Sequence, residues 1–254
     1  MGKTMKVRNL ILGEGMPKIC VPITGSTIQE LLEEIALAKA AQTDLVEWRV
    51  DYFNDALNVN AVVFAAKELR EALGETPMLF TFRTVAEGGE KPAKLDAYVE
   101  LNRVLAKSGY VDLVDVELSA GDGSALKKIV KAAHAHNVFV VASSHDFAQT
   151  PTHEEIVQRL TTMHTLGGDI PKIAVTPNDF LDVLTLMSAT DEFSNAADVP
   201  VITMSMKWLG GLSRVAGEFY GSVLTFATVG RASAPGQLTL EEARTIMAIL
   251  HARK

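Results

Sequence analysis

The sequence predicts an α/β fold of the (β/α)8 TIM-barrel type, and two observations lead to this prediction. Eight short segments rich in β-branched and aromatic residues lie along the chain, and a segment with helical periodicity follows each one. Residues 17–254, divided among eight units, give about 30 residues per unit, the size of a strand plus its crossover helix. No proline-rich or serine-rich linker interrupts the series, so we expect residues 1–254 to form a single barrel domain.

The predicted strands, numbered one to eight in chain order, are the segments 18–23, 45–50, 78–83, 111–118, 138–143, 170–175, 199–204 and 223–229. Ahead of them, residues 7–12 are expected to form a strand or a hairpin that closes the bottom of the barrel. Gly167 and Gly168 indicate the end of the helix after strand five. Capping-box patterns indicate three helix starts, at Thr27 with Glu30, Thr152 with Glu155 and Thr239 with Glu242.

Composition argues against several classes of protein. The chain carries 24 basic and 31 acidic residues, a net charge of −7, and nucleic-acid binding is disfavoured because phosphate recognition needs a basic surface. A single cysteine, Cys20, leaves no intramolecular disulfide to form, which is typical of a reducing compartment such as the cytoplasm. No apolar segment approaches the length of a signal-peptide core or a membrane helix.

Strand six carries the sharpest candidate for chemistry, Lys172. Side chains alternate along a strand, so if Ile173 and Val175 face the helices, Lys172 points into the barrel. Desolvation inside a barrel favours the neutral amine, the form that attacks a carbonyl carbon. The competing interpretation is a lysine at a strand end whose ammonium group reaches solvent, and the alternation alone leaves both open.

The same alternation places polar and charged side chains inside the barrel on strands two, three and four, toward the strand ends where such barrels hold their active sites. The inward-pointing residues are Glu47, Arg49, Thr81, Arg83, Asp115 and Glu117. Burying charges is costly unless they pair or meet a polar ligand. An ion-pair plug in the barrel is one explanation, and a site for an anionic or polyhydroxylated small molecule explains the charges better.

His145 follows strand five at the mouth of the barrel, where an imidazole can transfer protons near neutral pH. A solvated loop histidine is the ordinary alternative. The other five histidines fall within or beside helical patterns, and the chain has no HExxH, CxxC, EF-hand or GxGxxG pattern. We therefore expect no metal and no nucleotide.

The loops after strands seven and eight carry hydrogen-bond donors. Gly210 and Gly211 precede Arg214 in the first of them, and Gln237 lies in the second. Glycine-rich loops at this position bind phosphate in many barrels, whereas an arginine fork suits a carboxylate equally well. The sequence leaves phosphate and carboxylate open as the anion.

Six short motifs lie in order along almost the whole chain, at the ends of predicted strands. They are Glu47-Trp48-Arg49-Val50-Asp51, Phe80-Thr81-Phe82-Arg83, Glu87-Gly88-Gly89, His145-Asp146-Phe147, Pro171-Lys172-Ile173-Ala174 and Ser233-Ala234-Pro235-Gly236-Gln237. Together they resemble the type I 3-dehydroquinate dehydratase family. The resemblance implies an eight-fold barrel, usually a homodimer, that dehydrates 3-dehydroquinate to 3-dehydroshikimate in the shikimate pathway without a cofactor.

The same resemblance implies a role for each site residue. Lys172 is expected to form a Schiff base with the substrate, His145 to act as general acid and base, and Glu87 to hold His145. Arg214 is expected to bind the substrate carboxylate. The residues implied around the ring hydroxyls and the carboxylate are Glu47, Arg49 and Arg83, those implied in the apolar wall are Met204 and Met206, and those implied in a closing loop are Ser233 and Gln237.

Two other functions stay open at this level. A class I aldolase or transaldolase also uses a barrel lysine, but it cleaves a carbon–carbon bond and often grips phosphate. Arg214 and Gln237 in the late loops disfavour it. A catalytically silent barrel that serves as a binding module is disfavoured because an interior lysine and a histidine occur together.

Overall fold

The computed structural model describes residues 3–230 and 237–253. A hairpin of β1 (Met5–Val7) and β2 (Leu10–Leu12) precedes the strands of the barrel. The barrel strands are β3 (Lys18–Ile23), β4 (Leu45–Arg49), β5 (Met78–Thr81), β6 (Leu113–Glu117), β7 (Phe139–Asp146), β8 (Ile170–Val175), β9 (Ile202–Ser205) and β10 (Leu224–Phe226). Each of the eight predicted strands therefore has a counterpart, from β3 for strand one to β10 for strand eight.

The barrel strands pair in parallel in the order β10-β3-β4-β5-β6-β7-β8-β9. The ring closes between β9 and β10, where Val201 and Ser222 form a parallel bridge. In addition, the Val223 N–H donates to the Val201 carbonyl at 3.0 Å. The predicted (β/α)8 fold is confirmed.

Helices follow the strands on the outside of the barrel. They are α1 (Ile28–Ala40), α2 (Val59–Leu73), α3 (Leu95–Lys107), α4 (Ser124–His134), α5 (His153–Thr165), α6 (Phe180–Ala196), α7 (Gly211–Val215), α8 (Gly217–Tyr220) and α9 (Leu240–His251). After β9 the two short helices α7 and α8 take the place of one long helix. Among the described residues, no helix has both the length and the apolar character needed to cross a membrane.

Side-chain alternation along the strands divides the apolar core into two layers. The outer layer, between strands and helices, includes Trp48, Phe80 and Ile173. The inner layer fills the N-terminal half of the barrel and includes Leu79 and Ile170. The predicted inward and outward faces are thus confirmed, and the inward positions left for polar side chains lie at the C-terminal ends of the strands.

The N-terminal hairpin covers the bottom of the barrel. Val7 and Leu12 are buried in the inner layer, against the first inward-facing residues of the strands. At the turn, Arg8 has a left-handed backbone (φ 53), and its Nε donates to Oδ1 of Asp112 at 2.6 Å. The expected closure of the barrel bottom by residues 7–12 is confirmed, and it leaves the opposite end open for a ligand.

Two of the three predicted capping boxes are complete, those at Thr152 and Thr239. At the third, the Thr27 hydroxyl accepts the Glu30 N–H at 3.3 Å, but the Glu30 carboxylate turns to Ser26. It accepts the backbone N–H and the hydroxyl of Ser26 at 2.6 and 2.7 Å. The prediction of a complete box at Thr27 is wrong because a closer donor precedes the cap residue.

Candidate active site

A cavity of about 190 Å³ opens at the C-terminal ends of the barrel strands. Nine of the residues singled out from the sequence line it: Glu47, Arg49, Arg83, His145, Lys172, Met204, Met206, Arg214 and Gln237. Glu87 lies behind His145 and contacts it directly. Ser233 lies outside the described residues. The alternation along single strands thus brings together side chains that are far apart in the sequence.

Lys172 points into the cavity from β8 and is 3% exposed. Its Nζ lies 3.3 Å from Oδ2 of Asp115 and 3.6 Å from Oε1 of Glu47. On another side it lies 4.4 Å from the centroid of the Phe226 ring, within the range of a cation–π contact. The alternative of a lysine that reaches solvent is wrong, because the side chain is buried and its amine contacts groups inside the barrel.

Arg83 forms ion pairs with carboxylates of neighbouring strands inside the barrel. Its Nη2 donates to Asp115 at 2.8 Å, and its Nη1 donates to Glu117 at 3.0 Å and to the Ser143 hydroxyl at 3.1 Å. Burial alone would lower the pKa of Arg83, but the nearby carboxylates raise it above its ordinary value. The ion-pair plug considered from the sequence therefore exists around Arg83, and it forms one wall of the cavity.

Asp115 links this ion-pair cluster to Lys172. The carboxylate accepts from Arg83 on Oδ1 and from Lys172 on Oδ2, and the Ser143 hydroxyl donates to Oδ1 at 2.6 Å. Burial raises the pKa of Asp115, but Arg83 and Lys172 outweigh it and hold the pKa below its ordinary value. These cations favour the ionised form of Asp115, and its contact with Nζ fixes the position of the lysine amine.

His145 is held by Glu87 through two hydrogen bonds. Nδ1 of the ring lies 2.9 Å from Oε2 of Glu87, and the His145 backbone N–H donates to the same oxygen at 3.0 Å. The Ser119 hydroxyl donates to the other carboxylate oxygen, Oε1, at 2.6 Å. Because Nδ1 is occupied, Nε2 is the ring nitrogen left to face the cavity. β7 runs to Asp146, so His145 belongs to a strand and not to the loop that the sequence suggested.

The electrostatics favour a neutral imidazole. Burial lowers the pKa of His145 well below its ordinary value, and the cations of Arg83 and Lys172 add to the effect. Burial likewise raises the pKa of Glu87 to about 7, although Arg83 opposes this. A neutral His145 can accept a proton from a ligand, and the state of Glu87 determines which ring nitrogen carries the ring proton.

Arg214 supplies a buried cation whose nitrogens are partly unpaired. The residue is 3% exposed, and within the described part of the chain Nε and Nη1 have no hydrogen-bond partner. Burial lowers the pKa of Arg214 to about 10. Two buried, unpaired donors of a cation are costly unless an anion binds there. An anion bound beside Arg214 would remove this cost.

The short helix α7 that carries Arg214 is fixed from both sides. The Ser205 N–H of β9 donates to the Ser213 hydroxyl at 2.9 Å, and this hydroxyl donates to the Gly210 carbonyl at 2.7 Å. The Tyr220 hydroxyl donates to the Ser213 carbonyl at 2.6 Å. A helix of this length is unstable alone, so these bonds set the direction of the Arg214 side chain.

The apolar side of the cavity contains Met204 and Met206, both buried, together with Phe226. The sequence analysis did not single out Phe226, although the alternation on β10 places it on the same face as Leu224 and would have found it. Ser119, the partner of Glu87, was also missed, and it lies past the end of β6 where no alternation applies. Apolar walls of this kind exclude water from a reacting centre.

The described residues contain no group of three or more His, Cys, Asp or Glu side chains arranged to hold a metal ion.

Gly88 lines the cavity with a left-handed backbone (φ 82). A Cβ at this position would lie 2.6 Å from the Phe147 ring, and that ring stacks against His145 with centroids 6.5 Å apart. Glycine at this position therefore lets Phe147 lie beside the imidazole.

Comparisons with known proteins agree with this geometry. Residues 19–254 match the family model described as type I 3-dehydroquinase. The chain is 50% identical over 245 residues to a 3-dehydroquinate dehydratase of Listeria welshimeri, which covers 96% of this chain and 97% of the relative. It is 49% identical over 250 residues to the 3-dehydroquinate dehydratase of Salmonella typhimurium, covering 98% and 99% of the two chains.

A solved structure gives the same result. The type I 3-dehydroquinate dehydratase of Clostridium difficile, crystallised with covalently modified comenic acid, superposes with a TM-score of 0.96 at 45% identity and covers 100% of both chains. The family suggested by the six sequence motifs is confirmed. The chain belongs to the type I 3-dehydroquinase family.

Proposed function

We propose that this protein dehydrates 3-dehydroquinate to 3-dehydroshikimate through a Schiff base on Lys172. The observation that carries the proposal is one cavity lined by a buried lysine amine, a histidine held by a carboxylate, and Arg214, whose Nε and Nη1 have no partner among the described residues. These groups match the three needs of the reaction: a nucleophile, a proton carrier and an anion site. The names of the relatives supply the substrate.

In the first step the neutral amine of Lys172 attacks the C3 carbonyl carbon of the substrate. A carbinolamine forms, and its hydroxyl takes up the proton that the Lys172 ammonium lost on becoming the neutral amine. The hydroxyl then leaves as water, and a protonated imine between Nζ and C3 remains. The carboxylates of Asp115 and Glu47 lie 3.3 and 3.6 Å from Nζ. They can pair with this nitrogen both in the ammonium and in the protonated imine. The cationic imine withdraws electrons and acidifies the neighbouring C2 hydrogen.

In the second step Nε2 of His145 removes the C2 proton, and the electron pair moves into an enamine. The imidazolium then donates this proton to the C1 hydroxyl, which departs as water while the enamine electrons form the C1–C2 double bond. One histidine serves both steps, because acid and base act in sequence. Hydrolysis of the imine releases the product and restores Lys172, so atoms and charge balance over the cycle.

The remaining residues bind and orient the substrate. Arg214 pairs with the carboxylate, the anion that its unpaired nitrogens lack. Arg49, Arg83 and Glu47 surround the ring hydroxyls and the carboxylate, and Met204 and Met206 form the apolar wall beside the imine. Ser233 and Gln237 belong to the closing loop in this proposal.

An aldolase-like reaction is the second candidate, because a barrel lysine supports it equally. Such enzymes often bind a phosphate, which carries more charge than a carboxylate and is met by several donors. Among the described residues of this cavity, the cation with unpaired nitrogens is Arg214, while Arg83 and Arg49 already bond to carboxylates of the protein. One such guanidinium in the described part of the cavity favours a carboxylate over a phosphate.

Assembly, location and cofactor use complete the proposal. The protein acts as one catalytic domain that needs no cofactor or metal, it forms a homodimer, and it works in the cytoplasm in the shikimate pathway. The resemblance and the single cysteine, Cys20, support these points.

Borohydride reduction tests the Schiff base directly. With 3-dehydroquinate present, reduction will leave a stable secondary amine on Lys172, because the protonated imine is the only species in the cycle that accepts hydride there. Peptide mass mapping locates the adduct. The Lys172→Met variant will carry no adduct, and the surface variant Lys18→Met will label normally. An adduct on another lysine, or none at all, contradicts the proposal.

The dependence of kcat/KM on pH tests the Glu87–His145 pair. Above the pKa of Glu87, about 7, the carboxylate accepts the Nδ1 proton and Nε2 is a free base. Below it, the carboxyl donates to Nδ1, the ring proton moves to Nε2, and the base is lost. We therefore expect kcat/KM to fall toward acid with a midpoint near 7.

The Glu87→Gln variant separates this explanation from titration of the imidazole itself. Its acid limb will move to lower pH, because the pKa of His145 lies well below the ordinary value. The matched control is Glu90→Gln, an exposed carboxylate in the same loop, which will leave the midpoint in place. A Glu87→Gln profile that keeps the parent midpoint rejects the assignment.

A further inference from the structure

Asp51 is a fully buried carboxylate that the proposed reaction does not use. It follows β4 directly and is 0% exposed. Its Oδ1 and Oδ2 accept from Nε and Nη2 of Arg49, both at 2.8 Å, which is the two-bond geometry of an arginine fork on a carboxylate. The guanidinium carbon of Arg49 lies 5.0 Å from the centroid of the Tyr52 ring. Asp51 and Tyr52, in the same turn, therefore hold the side chain of Arg49, which lines the cavity.

The same carboxylate ties the loop after β4 to the loop after β5. Its Oδ2 accepts the Glu90 N–H at 3.1 Å, and its Oδ1 accepts the Arg83 N–H at 3.4 Å. Asp51 thus accepts four hydrogen bonds, two from Arg49 at the end of β4 and two from backbone N–H groups that follow β5. A fully buried carboxylate that accepts four hydrogen bonds is fixed in position.

Lys91 fixes the turn that holds Asp51. Its Nζ donates to the carbonyls of Asp51, Tyr52 and Phe53 at 2.9, 3.2 and 2.6 Å. These carbonyls belong to the end of a short 3-10 turn, Val50–Tyr52, and the residue after it, where unpaired carbonyl groups favour a cation. Since Lys91 also forms a parallel bridge with Thr84, the ammonium connects the two loops a second time.

A competing partner for Arg49 explains why this fixation matters. Glu47 lies two residues earlier on the same face of β4 and also lines the cavity. Its carboxylate lies 3.6 Å from Nζ of Lys172 and accepts the Thr81 hydroxyl at 2.9 Å. If Arg49 turned to Glu47, the cavity would lose the free donors of Arg49 and Lys172 would lose an ionic partner.

We propose that Asp51 is a positioning residue, which holds the guanidinium of Arg49 against the cavity wall and away from Glu47, with Lys91 fixing the turn. Nε and Nη2 of Arg49 then bond to Asp51, and the N–H groups of Nη1 stay available to a ligand hydroxyl or carboxylate. The kinetic test of this inference rests on the proposed function, and its structural test does not.

The kinetic test compares Asp51→Asn, Arg49→Met and the double variant. Asparagine keeps the size of Asp51 but replaces one acceptor oxygen by an NH2 group that repels the guanidinium. We expect KM for 3-dehydroquinate to rise about 10- to 100-fold, the worth of a charged hydrogen-bond pair. We expect kcat to change by less than about threefold, because Lys172 and His145 are not touched.

The double variant separates positioning from general destabilisation. If Asp51 acts through Arg49, Asp51→Asn will add almost nothing to the KM of Arg49→Met. The matched control is Asp55→Asn, which removes the same charge from an exposed position in the same loop and will leave KM unchanged. Fully additive effects of Asp51→Asn and Arg49→Met, or an unchanged KM, overturn the proposal.

Two measurements keep the test decisive if Asp51→Asn folds poorly or the substrate proves to be different. Lys91→Met removes a half-buried ammonium, and it will raise KM in the same direction by a smaller factor with kcat retained; an unchanged KM counts against the proposal. A crystal structure of Asp51→Asn will show the Arg49 guanidinium turned toward Glu47. An Arg49 guanidinium that keeps its position in this structure overturns the proposal, whatever the substrate is. Failure of the parent protein to turn over 3-dehydroquinate would refute only the proposed function.

Discussion

Replacement of His145 by alanine will lower kcat about 100-fold or more, the usual contribution of a general acid and base. The imidazole is the group in the cavity with a free ring nitrogen and a fixed orientation, because Glu87 binds Nδ1 at 2.9 Å. Both proton steps of the proposed cycle pass through it, so no other step can restore the rate. Steady-state kinetics on the purified variant measures the loss.

The imine will still form in His145→Ala, since Lys172 keeps its partners Asp115 and Glu47. Borohydride trapping will therefore label Lys172 in a variant that barely turns over. The matched control is His136→Ala, which removes an exposed imidazole outside the barrel and will keep the parent kcat. If His145→Ala turns over at the parent rate, the proton transfer belongs to another group, and Glu87 is the first to test.

The barrel could be predicted because two independent periods agree along the chain. Strands alternate with a period of two and helices repeat every 3.6 residues, and the eight units follow one another without a break. The alternation also placed individual side chains: Lys172 faces inward because Ile173 and Val175 pack outward. Such predictions succeed where one strand alone decides the direction of a side chain.

Pairing between inward side chains could not be predicted, because it depends on the register between neighbouring strands. Thr81 of β5 stands opposite Asp115 of β6, and this register brings Arg83, two residues further on, to Asp115 and Glu117. The sequence analysis expected Arg214 to bind the substrate carboxylate and Arg83 to lie among the residues around the ring hydroxyls and the carboxylate. The structure separates them: Arg83 is bonded to carboxylates, and Arg214 keeps two unpaired nitrogens among the described residues.

Element ends were also decided by contacts outside the local sequence. β7 extends to Asp146 because His145 and Asp146 continue the pairing with β8, opposite Ala174 and Val175. The segment after β9 folds as α7 and α8, since the Tyr220 and Ser213 hydroxyls bond to backbone groups there. The capping box at Thr27 is incomplete because the Glu30 carboxylate accepts the Ser26 N–H. In each case a tertiary or neighbouring donor outweighs a weak local preference.

Replacement of Arg214 by alanine will lower kcat/KM for 3-dehydroquinate about 30-fold to several thousandfold, because truncating one partner of a buried charge pair costs about 2 to 5 kcal/mol. Arg214 is the buried cation with unpaired nitrogens in the described part of the cavity. Its pKa is lowered to about 10 by burial, so the guanidinium stays charged at neutral pH and regains stabilisation when an anion binds.

The loss must follow the carboxylate if Arg214 binds that group. A substrate analogue without the carboxylate will be poor with the parent protein and will lose little more with Arg214→Ala, which is the coupling expected of two partners in a double-mutant cycle. Arg214→Lys will recover part of the loss, because it keeps the charge but not the fork. The exposed Arg103→Ala serves as the control for removing a positive charge, and it will leave kcat/KM unchanged.

Other outcomes would assign Arg214 differently. Equal losses with both substrates make it a structural residue of the α7 segment, and the carboxylate site must then be sought at Arg49, whose Nη1 is free of Asp51. Strong competition by inorganic phosphate, with no competition by simple carboxylates, favours the aldolase-like reaction. A doubly charged phosphate would need more than one free fork, and in the described cavity Arg83 is already bonded to Asp115 and Glu117. We therefore expect carboxylates to compete with the substrate and phosphate to compete weakly.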